Sequence, residues 1–177
     1  DAQESRGLGD VYKRQMKKCL IVWLTLVVSL SVLPFSANAS SSRNVEITTP
    51  DRSLEAKFLK AYRSGEYVVV EMLFQNVTDK DYSMRVFLGD NVVVYDELGN
   101  QYTGNIYGTF TKEGNLRLSP QVELPADIPV RFSLYIQNVA SDVQFLPRIN
   151  LNNIIAIRPA RFASSKLIIK NISISEM

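Results

Sequence analysis

The sequence has no histidine and a single cysteine among its 177 residues. Without an imidazole, Ser-His-Asp and Cys-His nucleophilic machinery is excluded, as is His-ligated zinc. The one cysteine, Cys19, lies in an apolar run near the N-terminus. Beyond it the chain has neither thiolate chemistry nor a disulfide framework. The fold must be held by an apolar core, and a composition of 46% hydrophobic and 21% charged residues supplies one.

Long hydrophobic runs are also scarce. The one present, Cys19 to Leu33, follows Met16-Lys17-Lys18 and precedes Ala37-Asn38-Ala39. A basic start, a short apolar stretch and an A-x-A site read as a secretory signal peptide over residues 16–39, helical in its apolar part. The run is shorter than the about 20 residues of a comfortable membrane span, so no stable span is expected after cleavage near Ala39. Residues 1–15 carry no hydrophobic periodicity, and Gly7 to Gln15 resembles translated adaptor sequence, so this part is read as a non-native leader. The expected location is extracytoplasmic, periplasmic or secreted.

Strong charge of one sign is absent too. Beyond Ala39, fifteen basic and fifteen acidic residues remain, so the basic excess of the whole sequence belongs to the leader and signal. No field is left to recruit nucleic acid, and Arg148, Arg158 and Arg161 have no aromatic interleaving that would make a nucleic-acid stripe. At about 138 residues the exported part is long enough to bury a core unaided.

What is present is strand alternation. In Tyr67 to Gln75, Val68, Val70, Met72 and Phe74 share one face, while Tyr67, Val69, Glu71, Leu73 and Gln75 share the other. This predicts a central strand with one face in a core and the other partly covered. Residues 40–52 read as a linker or edge segment around Val45-Glu46-Ile47, and the domain proper as 53–177. Leu54 to Tyr62 suits a helix or a strand, and the turn signal Arg63-Ser64-Gly65-Glu66 favours a strand folded back onto Tyr67–Asn76. Tyr82 to Leu88 and Val92 to Tyr95 read as two strands broken at Gly89-Asp90. Prolines 120, 125 and 129 exclude a central strand between Ser119 and Pro129. Val130 to Ile136, Phe145 to Leu151, Ile154 to Ile157 and Leu167 to Ile174 read as further strands, the last with a bulge near Lys170-Asn171 to reconcile its two phases. The glycines at 104, 108 and 114 make Gln101 to Asn115 the expected irregular region.

This pattern predicts an all-β, antiparallel β-sandwich of about seven to nine strands. Three stretches carry a resemblance: the strand Glu66 to Asn76 followed by Thr78-Asp79-Lys80, the hairpin Val94 to Tyr102 with Asp96-x-x-Gly99-Asn100-x-Tyr102, and Leu124 to Leu134. Together they are similar to secreted bacterial immunoglobulin-like domains of unknown function, although Ile128-Pro129 stands where those domains have Pro-Gly. The resemblance implies an extracytoplasmic binding or accessory domain and brings no catalytic residues with it.

No residue set predicts catalysis, a cofactor or a metal. A glycosidase needs facing carboxylates about 5 to 9.5 Å apart, and Asp96 and Glu97 are neighbours in a turn. Asp79, Asp81, Asp90, Asp96 and Asn100 could ligate calcium but lack an EF-hand pattern. Asn76-Val77-Thr78 and Asn171-Ile172-Ser173 match the glycosylation acceptor pattern, with a bacterial-type signal arguing against its use. The partner expected is an envelope protein or a glycan, met through aromatic side chains near the glycines: Tyr107 and Phe110 first, then Tyr102, with Tyr95 and Tyr102 alternatively pairing across a hairpin. The competing readings are a calcium-stabilised spacer and a carboxylate-dependent hydrolase.

Overall fold

The computed structural model describes residues 44–111, 114–157 and 161–176. The leader and the signal peptide lie outside these residues, as does Arg158. The described chain is all β: ten strands in two antiparallel sheets, with no helix among the described residues. In order they are β1 (Glu46–Thr48), β2 (Leu54–Ser64), β3 (Tyr67–Asn76), β4 (Tyr82–Tyr95), β5 (Gln101–Tyr102), β6 (Ile106–Thr109), β7 (Gln121–Leu124), β8 (Pro129–Gln137), β9 (Phe145–Ile157) and β10 (Leu167–Ser173). The number exceeds seven to nine because β1, β5, β6 and β7 are short edge pieces.

One sheet runs β1-β10-β9-β4, and β5 and β7 both pair with the far side of β4. The other runs β2-β3-β8-β6. Their inner faces meet in one apolar core. From the four-stranded sheet come Val68, Val70, Met72, Phe74, Phe132, Leu134 and Ile136, and from the six-stranded sheet Met84, Val86, Val92, Val94, Leu146, Ile149, Leu151 and Ile169. The β3 face predicted to be apolar is thus fully buried. A side chain of this size removed from water stabilises by about 1.5–3 kcal/mol, and this core replaces a disulfide framework.

The ambiguous Leu54–Tyr62 segment is a strand, paired with β3 from Leu54↔Asn76 to Ser64↔Tyr67, with a register shift between Phe58 and Lys60. Two expectations are corrected. Tyr82–Leu88 and Val92–Tyr95 form one strand, because Gly89 takes a φ of +62° and the Leu88 amide donates to the Leu118 carbonyl (2.7 Å), so the backbone stays paired through the expected break. The irregularity is confined to the β9 side, where pairing jumps from Phe87↔Asn153 to Val92↔Leu151. Opposite that jump, Phe145–Ile157 is likewise one strand and not two.

The second correction concerns β10. Leu167, Ile169, Ile172 and Ile174 are all buried although they lie out of phase. The pairing with β9 keeps one register from Leu167↔Leu151 through Lys170↔Arg148 to Ile172↔Leu146, so no extra residue is inserted. Asn171, at a φ of +63°, rotates the chain instead, and β9 changes phase opposite it, between Leu146 and Ile149. Asparagine tolerates this left-handed conformation better than most residues.

Both edges of the four-stranded sheet are met by chain that passes between the two sheets. The segment after β6 exchanges two hydrogen bonds with it (Gly108 N to Arg117 O and Arg117 N to Gly108 O, both 3.0 Å), then joins β4 through Leu118 and Pro120. At the opposite edge the chain leaving β10 lies against β2, where the Ser175 amide donates to Ala61 O at 2.9 Å. No helix among the described residues is long and apolar enough to cross a membrane.

Candidate functional site

The strand register fixes which side chains share the outer face of the four-stranded sheet. Tyr62 of β2 pairs with Val69 of β3, Val69 with Tyr135 of β8, and Tyr135 with Tyr107 of β6. These four positions make one row across all four strands. With strands ~4.8 Å apart, the row spans about 14 Å. Tyr67, two residues before Val69 on the same face, packs edge-on against Tyr135, the ring centroids 5.8 Å apart and the planes at 87°. Val69, expected to be only partly covered, is 1% exposed. The tyrosines around it are half-buried, so their rings roof the valine on one side and face solvent on the other.

The next row along the strands is polar: Lys60, Glu71, Ser133 and Thr109. Glu71 is 8% exposed despite its charge. The Tyr62 hydroxyl donates to its Oε1 (3.0 Å), while Arg131 Nη1 lies 3.4 Å and Lys60 Nζ 4.0 Å from Oε2. Lys60 Nζ also sits 4.3 Å from the centre of the Tyr62 ring. A carboxylate so enclosed needs these partners, because an unpaired buried charge is costly. Burial, and then the hydrogen bond to Glu71, pushes the Tyr62 hydroxyl above its usual pKa, and burial followed by Glu66 does the same for Tyr67. Both phenols are therefore protonated donors at neutral pH. Ser133, also 8% exposed, stands opposite Glu71 in this row.

The aromatics picked out in the sequence separate into three environments. Tyr107 belongs to the row, on a strand within the region expected to be irregular. Phe110 turns inward and packs with Phe132 and Phe74, at centroid distances of 4.8 and 6.2 Å. Tyr102 is on the six-stranded sheet, where its hydroxyl donates to Asp96 Oδ2 at 2.7 Å. Tyr102 pairs with Val94 and Tyr95 with Gln101, so the two tyrosines do not pair with each other. Tyr62, Tyr67, Tyr135 and Glu71 were missed. Their signal was the strand alternation itself, which puts Tyr67 and Glu71 opposite the core side of β3, but only register brings the four strands' residues into one row.

Of the candidate calcium ligands, Asp81, Asp96 and Asn100 are already engaged in hydrogen bonds within the fold. Asp96, 3% exposed, accepts from the Leu98 and Asn100 amides, the Asn100 side chain and Tyr102, at 2.7–2.9 Å. Asp81 accepts from the Ala126 amide at 2.9 Å, and Glu97 turns away from Asp96 to accept from the Gln144 amide. Among the described residues no three His, Cys, Asp or Glu side chains gather to hold a metal. The acceptor Asn76 is fully buried, its amide nitrogen donating to the carbonyls of Lys80 and Leu124 (2.8 and 3.0 Å), so it cannot be modified in the folded protein.

No family model matches the chain, and no curated protein does. Among solved structures, it is similar to the X-ray structure of Northeast Structural Genomics Consortium target SoR45, at 11% sequence identity and a TM-score of 0.33, over 76% of this chain and 88% of that one. A likeness at that score carries no argument about function.

Proposed function

We propose that this chain is an exported, non-catalytic recognition module of the bacterial envelope, immunoglobulin-like in its sandwich, which binds its partner through the outer face of the β2-β3-β8-β6 sheet. The observation that supports this reading is the cross-strand tyrosine row beside a buried, ion-paired Glu71. Tyrosine offers large contact area and a hydroxyl for few rotatable bonds, and it is enriched at binding surfaces. A sheet needing only to shed water from its outer face would do so with charged and β-branched residues; four tyrosines gathered on four strands fit contact better. The signal peptide read in residues 16–39 supports export, and the neutral balance beyond it supports a partner other than nucleic acid.

The test is affinity capture from a bacterial envelope extract by the wild-type chain and by a Tyr62→Ala/Tyr107→Ala/Tyr135→Ala variant, both checked for cooperative melting. Material retained by the wild type is expected to be lost from the variant. Equal retention by a folded variant would remove this face from consideration.

A further inference from the structure

We infer that two copies of this chain pair edge to edge through Leu54–Phe58 of β2, antiparallel and centred on Ala56, so that their four-stranded sheets run into one. The inference does not depend on the recognition role proposed above. Backbone direction comes first. β2 ends its sheet, with β3 on one side and, at Tyr62↔Ser175, the crossing chain on the other. On an antiparallel strand the backbone groups of successive residues point alternately to the two sides. The Ser53 carbonyl accepts from the amide of Val77, the residue after β3 (3.0 Å), so Ser53, Glu55 and Lys57 turn their carbonyls toward β3 and Leu54, Ala56 and Phe58 turn theirs away. The far end of β2 gives the same phase: Ala61 and Arg63 bond Ser175 on the open side, and the extra residue at Leu59 shifts the alternation by one. Of the outward groups of Leu54, Ala56 and Phe58, the Leu54 amide donates to Asp51 O (3.3 Å), and the others have no partner among the described residues. Other edges are shorter or covered: β1 has three residues, and Gly108 of β6 bonds Arg117.

Unpaired ladder groups invite any strand, and charge selects which one. Glu55 and Lys57 are exposed, and neither is in an ion pair among the described residues. A two-fold axis through Ala56 sets Glu55 of each copy against Lys57 of the other, at positions that exchange no backbone bonds and so bring their side chains closest. Leu54 then meets Phe58 on the core side, where Ala56 and Phe58 are incompletely covered in the single chain. The backbone follows: the two Ala56 residues exchange hydrogen bonds, and each Phe58 amide donates to the opposite Leu54 carbonyl. A register centred on Glu55 or Lys57 would face like charges and offer backbone groups already spent on β3.

The extra residue at Leu59 and the Ser175 crossing beyond it end the pairing after Phe58. The wild type therefore stops at a dimer, and opening the Ser175 end lets association go further. A contact this short belongs to the weak, reversible class.

Sedimentation equilibrium of the full chain at concentrations up to about 1 mM tests this, and the average mass is expected to rise from monomer toward dimer. Glu55→Lys or Lys57→Glu alone makes both cross-strand pairs repulsive and should weaken the dimer about tenfold or more. The exchange Glu55→Lys/Lys57→Glu should restore it, and mixing the two single variants should give a heterodimer. Ala56→Pro removes an outward amide without touching the β3 ladder and should leave a monomer that melts cooperatively. If that variant does not melt cooperatively, the charge exchange, made at exposed positions, carries the test. A monomer at every concentration, a dimer indifferent to both single reversals, or an exchange that fails to restore association overturns the inference.

Discussion

Asp96 is the residue whose chemistry is most sharply defined. Burial alone would raise its pKa, but hydrogen bonds from Asn100, Tyr102 and Leu98 outweigh that and hold the carboxyl below its usual value. A depressed folded-state pKa stabilises the fold fully above the unfolded value, and the contribution disappears as pH falls through the lowered one. Asp96→Asn should cost about 2 kcal/mol at pH 7, because charge-assisted bonds become neutral and the new amide has no acceptors. Urea unfolding of both proteins should show the gap narrowing below about pH 4; a constant gap would mean that Asp96 is not ionised in the fold. The Asp-x-x-Gly-Asn-x-Tyr pattern was visible in the sequence as a hairpin. That its acid gathers the turn, and that Tyr102 serves this acid, was not, because spacing does not show direction.

Asn76 makes a parallel case at the other end of the sandwich. Its side chain accepts from the Thr78 amide and hydroxyl (3.0 and 2.7 Å) while donating to Lys80 and Leu124, so one amide joins β3, the following turn and β7. Asn76→Ala should destabilise by about 2 kcal/mol or more, chiefly by leaving the buried Leu124 carbonyl without its partner. Thermal melting measures this, and a neutral substitution would contradict the accounting.

At the scale of elements, alternation was a reliable guide wherever one face is buried, and so β3 and β8 were legible from end to end. It failed at glycine. Gly89 reads as a strand break, yet the Leu118 carbonyl keeps β4 paired there. Gly108 reads as loop, yet it belongs to β6 because a side chain would not fit: a Cβ there would stand 2.8 Å from Leu88 Cδ1 and 2.9 Å from the Phe132 ring. The glycine lets β6 lie close over the core, with Tyr107 on its outer side. Gly108→Ala should therefore destabilise by about 1–3 kcal/mol through overpacking, and should loosen β6, seen as faster amide exchange at Tyr107 and Thr109. An unchanged melting temperature would show that Leu88 and Phe132 can move aside.

At the scale of the whole molecule, two sheets around one core were legible from strand number and spacing, because a chain of this length with no cysteine beyond Cys19 has few other ways to bury its apolar residues. The tyrosine row was not, since it depends on how four strands align and a one-residue slip would place each tyrosine on the core side. Closure of the edges was equally hidden, and it yields the last prediction. Exposed edge strands invite pairing with other chains. Near Ala61–Arg63, β2 is protected by Ser175, whose amide donates to Ala61 O (2.9 Å), whose hydroxyl donates to the same oxygen (2.8 Å), and whose carbonyl accepts from the Arg63 amide (3.4 Å). Ser175→Pro removes both donors at once. It should cost about 1–2 kcal/mol, raise hydrogen exchange at the Arg63 amide while leaving the β3–β8 ladder protected, and make the protein self-associate at high concentration in sedimentation. Ser175→Ala keeps the backbone donor and should lose much less. If the proline variant exchanged no faster at Arg63 than wild type, β2 would be held by its ladder to β3 alone, and the crossing segment would have no part in closing the sandwich.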